Sequence, residues 1–103
     1  MPKKFEKKTG TPESRIKKLV KERLIEIGAY QFWPVQMGLG AATLDCLVCF
    51  RGRFHVIETK RPGKKPTARQ EVIMEQIRAA GGTVHVIDNE TAARELFTEE
   101  VAL

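Results

Sequence analysis

The chain is poor in the devices that hold small secreted and membrane proteins together. Of 103 residues only two are cysteine, too few for a disulfide framework. No apolar run approaches the roughly 20 residues that cross a bilayer, and the stretch from Met1 to Lys8 is charged rather than signal-like. An intracellular protein without a membrane partner is therefore expected. Negative charge is also in deficit: 13 acidic against 18 basic side chains give +5 at pH 7 and a pI near 9.5, which favours a polyanionic partner. The 42% hydrophobic content suffices for one modest core, so a single domain is expected over 11–103, with burial between subunits an open route to more stability.

The two cysteines, Cys46 and Cys49, have CxxC spacing but no second ligand pair and no helix N-terminus to activate a thiolate. An odd separation within a strand points them to opposite faces, and buried free thiols are expected rather than zinc or redox chemistry.

Residues 1–10 form a lysine-rich arm, with Lys3, Lys4, Lys7 and Lys8 and little to bury. Thr11 offers a helix N-cap followed by Pro12 at the first helical position. Glu13, Ile16, Val20, Leu24 and Ile27 keep helical spacing up to a stop at Gly28, and Glu13 is the unusual member, a carboxylate leading an apolar stripe. Tyr30 to Gln36 reads as a first strand, demoted to an edge or bulge by Pro34. The small-residue loop Gly38–Thr43 precedes a hairpin of Leu44–Phe50 and Phe54–Lys60, joined by Arg51-Gly52-Arg53. Thr67 and Gln70 form a capping box opening a helix to about Ala80. Gly81-Gly82 ends it, Thr83–Ile87 is a last strand, and Asp88 or Asn89 caps a final helix through Phe97. The order helix, three strands, helix, strand, helix implies an α/β fold, a mixed sheet flanked by helices.

The informative feature lies in the hairpin. Asp45 near the start of one strand and Glu58 near the end of the next come opposite each other in an antiparallel pair, at the end remote from the turn. Period two puts Lys60 on Glu58's face. Carboxylates and a lysine in apolar strands are costly to bury unless a partner neutralises them. A divalent cation does so: carboxylate oxygens suit Mg²⁺ or Mn²⁺, and the bound ion activates water against a phosphodiester. The backbone carbonyl of Thr59 offers a third ligand, and Lys60 a group to orient or deprotonate the water and offset charge on the phosphate. Arg51, Arg53, Arg61, Lys64, Lys65 and Arg69 are read as flanking this site for DNA. The competing reading is a solvated network of surface charges. His55 and His85 follow the core-facing pattern and are expected to be structural. Phe32 and Trp33 leave core packing and base stacking open, with packing favoured.

Asp45 with Glu58-Thr59-Lys60 resembles the D…(D/E)xK signature of the PD-(D/E)XK nuclease superfamily, whose core runs helix, three strands, helix, strand. Further features resemble the VRR-NUC family, the virus-type replication-repair nucleases: Glu13-Ser14-x-Ile16 at the opening helix, Gly38 and Gly40 before the aspartate, Glu58-Thr59-Lys60-Arg61-Pro62-Gly63, Gln70 at the next helix, and Gly81-Gly82-Thr83-Val84-x-Val86-Ile87. The similarity spans roughly 12–98. One departure is Leu44, where the family usually has proline. The resemblance implies that Asp45 and Glu58 bind the metal and that Lys60 assists catalysis. Glu13 would be a direct or water-mediated ligand, or else an ordinary helix N-terminal carboxylate. Gln70 would support the site or contact phosphate while also capping its helix. Members of this minimal stand-alone size resemble phage-encoded homodimers acting on branched DNA, four-way junctions included.

The expectation is a Mg²⁺- or Mn²⁺-dependent endodeoxyribonuclease, a homodimer without an organic cofactor, recognising DNA by shape and phosphates. Two other classes stay open: a non-catalytic DNA-binding subunit that keeps the fold, and a basic module binding RNA or a protein.

Overall fold

The computed structural model describes residues 11–35 and 43–103. The basic arm, Gln36 and the glycines Gly38 and Gly40 lie outside the described residues. Eight elements follow in order: α1 (Glu13–Ile27), β1 (Tyr30–Phe32), β2 (Cys46–Phe50), β3 (Arg53–Thr59), α2 (Ala68–Ala79), β4 (Thr83–Ile87), α3 (Glu90–Arg94) and α4 (Thr98–Ala102). The strands form one mixed sheet in the order β1-β2-β3-β4, antiparallel except for β3 with β4. This is the expected α/β architecture, and no described helix is long and apolar enough to cross a membrane.

The sheet separates two packed layers. On one side α1 buries Ile16, Leu19, Val20 and Leu24 against Cys46, Val48, Phe50 and Ile57, with Ala93, Leu96 and Phe97 closing the cluster. Arg23 ties α1 to this layer, its Nε donating to the Leu96 carbonyl at 2.8 Å. On the other side a small cluster of Leu44, Val56 and Met74 is buried under α2, which packs against β4. Beyond the reach of α2 that face is open, so Tyr30, Phe32 and Phe54 remain 68%, 51% and 49% exposed.

Several local expectations change for physical reasons. Pro12, not Thr11, is the N-cap of α1, and it offers no side-chain bond; the Thr11 hydroxyl donates to Glu90 at 3.3 Å instead. β1 stops at Phe32, because Pro34 has no N–H for the ladder. The hairpin turn is two residues, Arg51 at φ 52° and Gly52 at φ 77°, because Arg53 already pairs with Phe50. Two left-handed residues make the type I′ turn that matches strand twist. The helix expected to run through Phe97 ends at Arg94, and a further short helix starts at Thr98 after Phe97, which adopts φ 63°. Its ring then packs edge-on against both histidines, at centroid distances of 4.6 Å to His55 and 5.1 Å to His85. Ring burial outweighs helix continuity here.

The cysteines do face opposite ways, but only Cys46 is buried, its thiol pushed up to about 12 chiefly by burial. Cys49 lies on the open part of the α2 face and is exposed. His55 and His85 share one hydrogen bond, Nδ1 to Nε2 at 3.0 Å, and burial lowers both, His85 to about 4. Neutral rings packed under Phe97 fit the structural role. Trp33 packs against the larger core, its Nε1 donating to Gln31 at 2.7 Å.

Candidate active site

The register that pairs Cys46 with Ile57 carries one position further and sets Asp45 against Glu58. Here the chain enters β2 through a bend at Asp45, and three hydrogen bonds clamp the crossing. The Asp45 amide donates to Glu58 Oε1 at 3.2 Å. The Thr59 amide and hydroxyl both donate to Asp45 Oδ2, at 2.9 and 2.7 Å. One Asp45 oxygen is thus saturated and the other, Oδ1, faces outward from the clamp.

Glu58 is only 2% exposed and Lys60 8%. Glu58 Oε2 lies 3.5 Å from the Lys60 ammonium and accepts from Gln70 Nε2 at 2.8 Å. Gln70 works twice: its Oε1 accepts from the Thr67 amide at 2.9 Å, completing the capping box of α2. That arrangement joins the start of α2 to the end of β3 through one side chain. Burial first, and the neighbouring Asp45 charge second, push the Glu58 carboxyl above its ordinary range, with Lys60 only partly offsetting them.

A raised carboxyl beside a second carboxylate marks a place with too little positive charge. A hard divalent cation fits that donor set: Mg²⁺ is held by one or two carboxylates and keeps several waters. Asp45 and Glu58 would hold the ion, with the Thr59 carbonyl as the expected third protein ligand. Among the described residues no three His, Cys, Asp or Glu side chains converge closely enough to hold a metal by themselves. Water and backbone oxygen would complete the shell.

Glu13 sits at the first turn of α1 and reaches this pair only through Lys17. The Lys17 ammonium lies 3.6 Å from Glu13 and 3.8 Å from Asp45 Oδ1. Lys17 is a site residue that the sequence does not single out. Its i,i+4 spacing from Glu13 was the available signal.

The basic residues divide. Arg61, Lys64, Lys65 and Arg69 are exposed in the segment that joins Lys60 to Gln70, both of which contact Glu58. Arg51 and Arg53 are at the opposite end of the hairpin, about 20 Å away at the usual rise per residue. They do not flank the site, and the Arg51 guanidinium is engaged by the backbone carbonyls of Glu100 and Val101.

No protein-family profile and no curated protein sequence matches the chain. A solved structure described as a VRR_NUC domain does, at a TM-score of 0.73 and 28% identity, covering 86% of this chain and 97% of that one. In sequence and in fold the chain is similar to a VRR-NUC domain over most of its length. Its mixed four-stranded sheet flanked by helices is the PD-(D/E)XK-like core expected of that family. That likeness supports a nuclease-type domain, and the residues of the Asp45, Glu58-Thr59-Lys60 motif meet at one end of the sheet.

Proposed function

We propose that this VRR-NUC-like domain is a Mg²⁺- or Mn²⁺-dependent endodeoxyribonuclease that hydrolyses phosphodiester bonds in branched DNA. The observation that carries the reading is the buried Glu58, set against Asp45 and 3.5 Å from Lys60, with exposed cations of the 61–69 segment alongside. The divalent cation, when bound, supplies Lewis-acid polarisation of the phosphate and a lowered pKa for water. The rest falls to the chain's own side chains. The Thr59 clamp fixes one Asp45 oxygen and so orients the other. Gln70 and the Asp45 amide hold the Glu58 carboxylate in one rotamer, which keeps the donor set preorganised. Lys60, 3.5 Å from Glu58, would offer its ammonium to offset the negative charge that develops on the phosphorus oxygens and to orient the attacking water, whose proton passes to bulk solvent. Arg61, Lys64, Lys65 and Arg69 supply phosphate contacts that position the strand without reading bases.

The branched substrate rests on the family resemblance of the motif, and a twofold dimer is supported by the open apolar face of the sheet around Tyr30, Phe32 and Phe54. A second copy would cover that apolar surface and bring two sites to a junction's related strands.

The test is a cleavage panel of linear duplex, flap, splayed-arm and four-way-junction DNA in Mg²⁺, Mn²⁺, Ca²⁺ and EDTA. Cutting of junctions in Mg²⁺ or Mn²⁺, binding without turnover in Ca²⁺, and none in EDTA are expected. Full activity in EDTA overturns the metal dependence, and equal cutting of all DNA forms overturns the branched substrate.

A further inference from the structure

Lys17 is a charged group at the site that the nuclease chemistry does not use. It reaches in from α1 and lies between Glu13 and Asp45, 3.6 Å from one carboxylate and 3.8 Å from the other. The Asp45 oxygen it approaches is Oδ1, the one that Thr59 leaves unsaturated. That oxygen and Glu13 are the acidic groups a cation arriving from solvent would meet first. Both Glu58 oxygens, by contrast, already accept hydrogen bonds from Asp45 and Gln70.

We propose that Lys17 is a stand-in cation: its ammonium neutralises Glu13 and Asp45 in the metal-free domain, and a divalent ion must displace it to bind. The inference rests on the divalent-cation reading of the site. An ammonium and a metal ion competing for one carboxylate oxygen repel each other at short range, so the lysine weakens metal binding by the interaction it gives up. It also stabilises the metal-free fold, where Asp45 and Glu58 would otherwise face each other with Lys60 alone to offset them. The four-carbon stem lets the displaced ammonium swing away, its side chain being 38% exposed. Lys17 is thus a positioning residue that sets the metal concentration at which the site fills.

The experiment compares wild type, Lys17→Met and Lys17→Arg by calorimetric titration with Mn²⁺ and by thermal unfolding with and without saturating Mn²⁺. Lys17→Met is expected to bind Mn²⁺ about two- to fivefold tighter, the scale of partly exposed ion pairs. Its unfolding temperature should fall without metal and return to the wild-type value with it. Lys17→Arg should restore both wild-type behaviours. Unchanged or weaker Mn²⁺ binding by Lys17→Met, with normal binding by wild type, overturns the stand-in role and leaves a surface ion pair. Absence of Mn²⁺ binding in wild type removes the metal reading itself, and this proposal with it.

Discussion

The two faces of the sheet differ in how they use burial. The α1 face packs twelve buried residues into one cluster, whereas the α2 face has three. The thin face is the one that holds Glu58, Lys60 and Gln70 and leaves Tyr30, Phe32 and Phe54 open. Stability and chemistry are therefore divided between layers. A cluster of apolar side chains on one side carries the fold, and this frees the other to keep a carboxylate at 2% exposure that a stability-driven design would replace.

That division can be broken most sharply at Glu58. Glu58→Gln should lower cleavage by more than about a thousandfold if Glu58 is the metal ligand proposed above, through loss of transition-state stabilisation. The same variant should unfold at a higher temperature than wild type in metal-free buffer near neutral pH. The sign follows from the raised carboxyl: a group bound to its proton more tightly when folded stabilises below its ordinary pKa and loses that contribution as pH rises. Kinetics and calorimetry on one preparation give both numbers, and a variant both inactive and less stable would contradict the division.

Core truncation sharpens the comparison next. Leu24→Ala, on the thick face, should cost about 3–4 kcal/mol, because the surrounding cluster cannot collapse into the space. Met74→Ala should cost about 2–3 kcal/mol, since the three-residue cluster is small and beside open surface. Denaturant titration reads both, and equal losses would show that the layers share the load.

The smallest effect expected is on pH. His55 and His85 are held neutral by burial, so protons bind them more readily in the unfolded chain. Their contribution is complete above the ordinary histidine pKa of about 6.5 and is lost as pH falls towards about 4, the value for His85. Melting of wild type should decline over that window by roughly 5–10 °C. His85→Leu should flatten the decline, and a wild-type profile already flat would show that the pair charges without cost.

Much of the site was legible because it depends on local rules. A short hairpin fixes its own register, so the spacing from Asp45 to Glu58 determines that they meet, and period two carries Lys60 to the same face. The capping box placed Gln70 at the head of α2 for the same local reason. What escaped depends on docking between elements. Lys17 belongs to the site because α1 brings it within 3.8 Å of Asp45; its i,i+4 spacing ties it to Glu13 but says nothing of a strand much further along the chain. The break at Phe97 escaped because a left-handed phenylalanine is uncommon and is favoured here by two rings from distant strands. Arg51 looked like part of the site only while the length of the hairpin was ignored.

That length has a further consequence. The alignment of Asp45 with Glu58 is measured from a turn of two left-handed residues, Arg51 and Gly52, at the other end of the ladder. A strand pair behaves as a ruler whose zero mark is its turn. Shifting that mark by one residue would move every position of β3 by one against β2 and send Glu58 to the opposite face. The spatial tolerance of the nuclease chemistry is therefore written into a pair of backbone angles far from any reacting atom.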